Sequence, residues 1–216
     1  MTTPSVADRR SAGDLIRDVA GAYIGDLQAG YLDDRSSAVA ALAQLRRGAG
    51  KLPEEVPELW GMAGTDRLYA ERPLSYNEAV KAEAALFLAV TLYALHQQSH
   101  PDQRMHRRGV ELGEAVRRLM PVGKIDEPIR RRFVRVGAAN TRQVLANRLR
   151  EIITLLRRES IPLDYALLAR QLYQAQHPEG MRQVRQSWGR SFHSYRPGGS
   201  GAETRTDNEP AEKEPQ

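Results

Sequence analysis

Cysteine is absent from this sequence, which removes disulfides, thiolate nucleophiles, iron–sulfur clusters and cysteine-ligated zinc together. No stretch approaches the roughly 18 uninterrupted apolar residues that a membrane span requires. The opening residues, Met1 to Arg10, are polar and lack the apolar core of a secretory signal. The expectation is a cytoplasmic protein without a membrane partner. Lysine is also scarce: Lys51, Lys81, Lys124 and Lys213 are the only lysines among 32 basic residues. The arginines that fill the remainder carry planar forks suited to phosphate and to stacked bases.

What the chain does have is an uneven charge. Residues 1–100 hold 10 basic and 13 acidic side chains, residues 101–200 hold 20 and 9, and residues 201–216 hold 2 and 5. The formal net charge of +5 therefore conceals a strongly basic central block, whose field attracts polyanions. Nucleic acid is the obvious partner class.

Helical periodicity dominates and no segment alternates in polarity as a half-buried strand would, so the fold class is all-α. The pattern predicts a helix from Ser11 to Gln28 ended by Gly30, and a second from an N-capping Ser36 to Arg47. A proline-spaced connector covers Leu52 to Trp60. Ser75 and Glu78 form a capping box that opens a long central helix carrying Ala82, Leu86, Ala89, Val90 and Tyr93. Another helix is predicted from Gln103 to Leu119, interrupted by Met120-Pro-Val-Gly123. Beyond it, Asp126 and Asp164 are expected to cap helices, and Leu145 to Leu156 mark a strongly amphipathic one. A last helix carries Met181, Val184, Trp188 and Phe192. The length accommodates one domain or two small ones. The predicted arrangement is two small bundles, residues 11–120 and 124–195, joined by a short linker and followed by a disordered tail, 196–216, too poor in apolar residues to offset its ordering entropy. Trp60, Tyr93, Trp188 and Phe192 are expected in the core.

Tests for chemistry fail one after another. Gly48-Ala-Gly-Lys51 resembles the end of a phosphate-binding loop, but Leu45 and Leu52 stand where that motif needs a glycine and a hydroxyl residue. His96 and His100 share a helical face without a third ligand near them in sequence. Acidic pairs such as Asp33-Asp34 and Asp126-Glu127 fall at turns and helix starts, where they serve as caps. No catalytic residue, metal or cofactor is expected.

The basic constellation is more informative. Residues 104–150 hold 13 basic and 4 acidic side chains, too lopsided for the interspersed signs of a merely soluble face. Without an aromatic RNA-binding motif, zinc finger or helix-turn-helix pattern, contact is expected at phosphates and independent of base sequence. An alternative reading is a helical scaffold whose basic face docks on an acidic protein.

Several segments in order resemble the CasB family, the small subunit of the type I-E CRISPR complex Cascade. They are Leu42 to Gly48, Pro53 to Trp60, Gly113 to Phe133, Ile161 to Arg170 and Trp188 to Phe192. The resemblance covers residues 11–195; the acidic tail departs from it. It implies a two-domain helical subunit without a catalytic centre, present in two copies beside the backbone and large subunits. Such a subunit would hold the guide RNA–target DNA heteroduplex and the displaced strand, stabilising an R-loop in antiviral defence. Carried over by position, Arg46, Arg47, Lys124, Arg131, Arg132 and Arg135 match the family's basic residues, with Arg142, Arg148, Arg182 and Arg185 beside them. Lys51, Arg107, Arg108 and Arg118 complete the candidate nucleic-acid-binding set.

Overall fold

A computed structural model describes residues 11–71 and 73–196; of the tail expected to be disordered, residues 197–216 lie outside the described residues. Among the described residues the regular elements are helices. Helices α1 (Ala12–Leu32), α2 (Ser36–Leu45), α3 (Thr65–Glu71) and α4 (Tyr76–Gln97) are followed by α5 (Leu112–Arg118), α6 (Glu127–Gly137), α7 (Arg142–Arg158), α8 (Tyr165–Gln174) and α9 (Gly180–Ser194). A short 3-10 turn at Arg46–Gly48 follows α2, and two more, at Pro53–Glu55 and Pro57–Leu59, occupy the connector.

Helix starts follow their caps. Ser11 accepts from the Asp14 N–H, Asp126 from Ile129, Thr141 from Val144 and Asp164 from Leu167, each satisfying a donor the helix cannot. Ser75 and Glu78 form the reciprocal box, with the Glu78 carboxylate accepting from the Ser75 N–H at 3.0 Å. At α2 the expectation fails: Ser36 is already helical and Arg35 is the cap residue, without a side-chain bond. Gly30 does not end α1 but lies buried inside it. A Cβ there would stand 2.7 Å from that of Ala38, so the glycine lets α2 cross closely.

The helix predicted from Gln103 is much shorter. Residues 105–110 instead run beside residues 163–164: Leu163 N–H donates to Met105 O at 3.0 Å, Arg107 N–H to Leu163 O at 3.1 Å, and Asp164 N–H to Val110 O at 2.8 Å. Gly109, at φ +85°, takes a backbone conformation foreign to a helix. The Asp164 carboxylate accepts its N–H at 2.9 Å. Arg104, Arg107 and Arg108 therefore stand on a loop.

Helix α4 is the centre. By length and composition Tyr76–Gln97 could cross a membrane, yet 78% of its most apolar 18-residue stretch is buried within this fold, as in a core helix. Helices α1, α7 and α8 pack around it, and buried apolar residues from all nine described helices join one continuous cluster. Tyr93, Trp188 and Phe192 belong to that core. Trp60 does not: it is 67% exposed, its indole N–H tied to the Pro53 carbonyl at 2.9 Å. The connector around it has two 3-10 turns and no long apolar face to draw the ring inward.

Candidate nucleic-acid interface

Helix α6 divides into two faces. Val136 is fully buried, and Phe133 stacks on Phe192 of α9 with ring centroids 5.5 Å apart. At about 100° per residue, Arg131, Arg132 and Arg135 fall within one arc beside that face, and all three are exposed. Arg130 bonds Glu127 at 3.0 Å, which raises its pKa and leaves it committed. Among the described residues, Arg131, Arg132 and Arg135 have no carboxylate within salt-bridge distance.

The patch extends from α6 onto α7. The Arg148 guanidinium donates to the Arg135 carbonyl in the last turn of α6, where the helix dipole welcomes a cation. At the start of α7, Arg142 lies 3.8 Å from Glu54. Gln143 donates to the Gly50 carbonyl at 3.3 Å. Gly50 approaches α7 so closely that a Cβ would stand 2.9 Å from Arg150 Cδ, and its φ of +81° favours glycine. The loop is thereby docked on α7 with Lys51 exposed. Just before it, the Arg46–Gly48 turn leaves Arg46 and Arg47 exposed while Gly48 is buried against Leu59, Phe87 and Thr91.

The Arg148 bond thus ties α7 to α6, and the Gly50 contacts tie α7 to the loop that follows Arg46 and Arg47, although Arg148 and Arg150 stand on opposite flanks of α7, about 160° apart. Arg185 reaches the same end of α6: its Cγ would be 3.4 Å from a Cβ on Gly137. Lys124 is exposed in the loop leading into α6, and Arg182 is paired with Glu179 at 2.6 Å. Arg107, Arg108 and Arg118 gather elsewhere, around a cleft beside α5 and the end of α9.

Two residues outside the predicted set belong with it by position. Arg150 packs on Gly50, an approach between residues 100 apart that local periodicity does not reveal. Arg196 lines the α5–α9 cleft and donates to His193 O at 2.9 Å, although its glycine- and proline-rich sequel marks it as the start of a tail. The paired histidines serve the fold: His96 Nδ1 is 2.8 Å from the Tyr165 hydroxyl and His100 Nε2 is 3.0 Å from the Arg157 carbonyl.

Chemically, the exposed α6 arginines offer guanidinium forks without a paired carboxylate among the described residues, the donor set for phosphodiester oxygens. The family model described as CRISPR-associated protein Cse2 matches residues 41–193. The crystal structure of CasB from Thermobifida fusca is similar, with a TM-score of 0.77 and 54% identity over 83% of this chain and 98% of that one. No curated protein matches the chain.

Proposed function

The chain belongs to the Cse2 (CasB) family of CRISPR-associated proteins, subunits of Cascade, and from that premise we propose that it is a non-catalytic subunit holding nucleic-acid backbone without reading sequence. The observation that carries this reading is the exposed row Arg131, Arg132 and Arg135, which among the described residues has no carboxylate within salt-bridge distance. A surface of this kind supports an R-loop by binding the guide RNA–target DNA heteroduplex and the displaced strand. Exchange of one duplex for the other is nearly balanced, so backbone contacts tip it while base pairing supplies specificity. Its partners in this reading are those nucleic acids, the other Cascade subunits and a second copy of itself.

The test is an anisotropy titration of R131E/R132E/R135E with single-stranded DNA of several sequences, at low and high salt. Binding should weaken equally for all sequences. The log–log salt slope should flatten by about 0.7 for each phosphate that the variant no longer neutralises. Unchanged affinity and slope would remove the α6 row from the interface, and weakening confined to one sequence would contradict recognition of backbone alone.

A further inference from the structure

Arg107, Arg108 and Arg118 do not join the α6–α7 surface. With Arg196 they line a cleft of about 830 Å³ between the loop entering α5 and the end of α9. The loop wall is held by backbone bonds, Arg107 N–H to Leu163 O and Gly109 N–H to the Asp164 carboxylate. The helix wall is held by α5 crossing α9 so tightly that a Cβ on Gly113 would lie 1.9 Å from the Trp188 carbonyl. The cleft is thus built on fixed backbone.

Four arginines and a single acidic residue, Glu114, line the cleft, and the Glu114 carboxylate is already bonded to Arg118. Arg118 is fixed a second time, its guanidinium lying 5.4 Å from the Tyr195 ring centroid. Its Nε is buried without a hydrogen-bond partner. Arg107 and Arg108 are exposed and have no carboxylate within salt-bridge distance among the described residues. Uncompensated positive charge in a concavity focuses its field and concentrates anions. Guanidinium forks match the paired oxygens of a phosphate better than they match a monatomic anion. The cleft's size is within the roughly 300–1,000 Å³ of small-molecule sites, and its donor-rich lining is wrong for a cation.

We infer that this cleft is a second anion site, one that takes a phosphate group, separate from the α6–α7 surface and independent of the function proposed for it. The phosphate is either part of a small phosphorylated compound or one link of a nucleic-acid strand; the recognition chemistry is the same.

The experiment titrates the full chain with inorganic pyrophosphate and, separately, with a short oligothymidylate, following the arginine Nε–Hε resonances by NMR and the heat by calorimetry. Pyrophosphate should shift the Arg118 Nε–Hε signal saturably. R108A/R196A, which alters two exposed side chains, should weaken that binding by about tenfold or more, while R131A/R132A leaves it unchanged. If the oligonucleotide moves the same signal and competes with pyrophosphate, the phosphate belongs to a strand; if it does neither, the site serves a small phosphorylated compound. Absence of a saturable Arg118 shift, or equal weakening by both variant pairs, would overturn the site and leave only general charge attraction. Failure here does not touch the α6 prediction, which is read on DNA with different residues.

Discussion

His96 is fully buried on α4 and hydrogen-bonded through Nδ1 to Tyr165. Burial, reinforced by the nearby His100, lowers its pKa from 6.5 to about 3. Between those values the unfolded chain binds a proton that the folded chain refuses, so stability is whole above pH 6.5 and falls as pH drops toward 3. Near pH 4.5 this group alone costs about 3 kcal/mol, at about 1.4 kcal/mol per pKa unit, and His106, also lowered chiefly by burial, acts in the same direction. Urea denaturation of wild type and H96Q at pH 7.5 and pH 4.5 checks it: the variant should lose about that much less on acidification, and equal losses would assign the acid sensitivity to other groups. The two tryptophans make a second contrast. Trp188 is 2% exposed and donates to Gln171 at 2.7 Å, so Trp188→Ala should cost about 3–5 kcal/mol. Trp60→Ala should cost under about 1 kcal/mol in the same measurement, as surface substitutions do. Sequence distinguishes these two indoles only where periodicity exists: Trp188 repeats with Val184 and Phe192 along a helix, whereas Trp60 follows a proline-broken connector.

At the scale of elements, helices with a capping residue and an apolar stripe are legible in the sequence alone. Asp126, Asp164 and the Ser75–Glu78 pair each stand where their helices begin, because a cap is a local bond between near neighbours. The segment from Gln103 is not legible, because its backbone bonds go to residues 163–164 and no local pattern encodes a partner more than 50 positions away. The same limit governs the basic surface. The α6 arginines share a face by helical geometry alone, but their link to Lys51 depends on Gly50 docking on α7, and the separation of Arg107, Arg108 and Arg118 depends on α5 crossing α9. That crossing is testable. Gly113→Ala would drive a methyl group into the Trp188 carbonyl and the Ser191 hydroxyl, and should destabilise by about 1–3 kcal/mol or more through overpacking. Gly189→Ala, on α9 with nothing within 4 Å of the new Cβ, should instead stabilise by about 0.5–1 kcal/mol. Thermal melts of the two variants should move in opposite directions, and a neutral Gly113→Ala would mean that α5 and α9 separate easily.

For the molecule as a whole, charge and packing divide the chain differently. By charge it splits near residue 100, with the basic excess on the C-terminal side. By packing it does not split there: α8 lies against α1 and α4, and α7 also packs against α4, so apolar residues from both sides of residues 121–123 share one cluster. We read residues 11–120 and 124–195 as two bundles sharing that core. The arrangement gives the basic half a support it does not itself provide, since α6 is half surface and α7 needs α4 to cover its apolar stripe. A shared core also couples their stability, because exposing α8 strips cover from α1 and α4 together. Calorimetry should therefore show one cooperative transition, with calorimetric and van't Hoff enthalpies equal. Leu168→Ala in α8, deleting a buried side chain, should lower that single midpoint by removing about 2–5 kcal/mol of stability. Two resolved transitions, only one of them moved by Leu168→Ala, would show instead that the bundles stand independently and that the basic surface is carried by the C-terminal one alone.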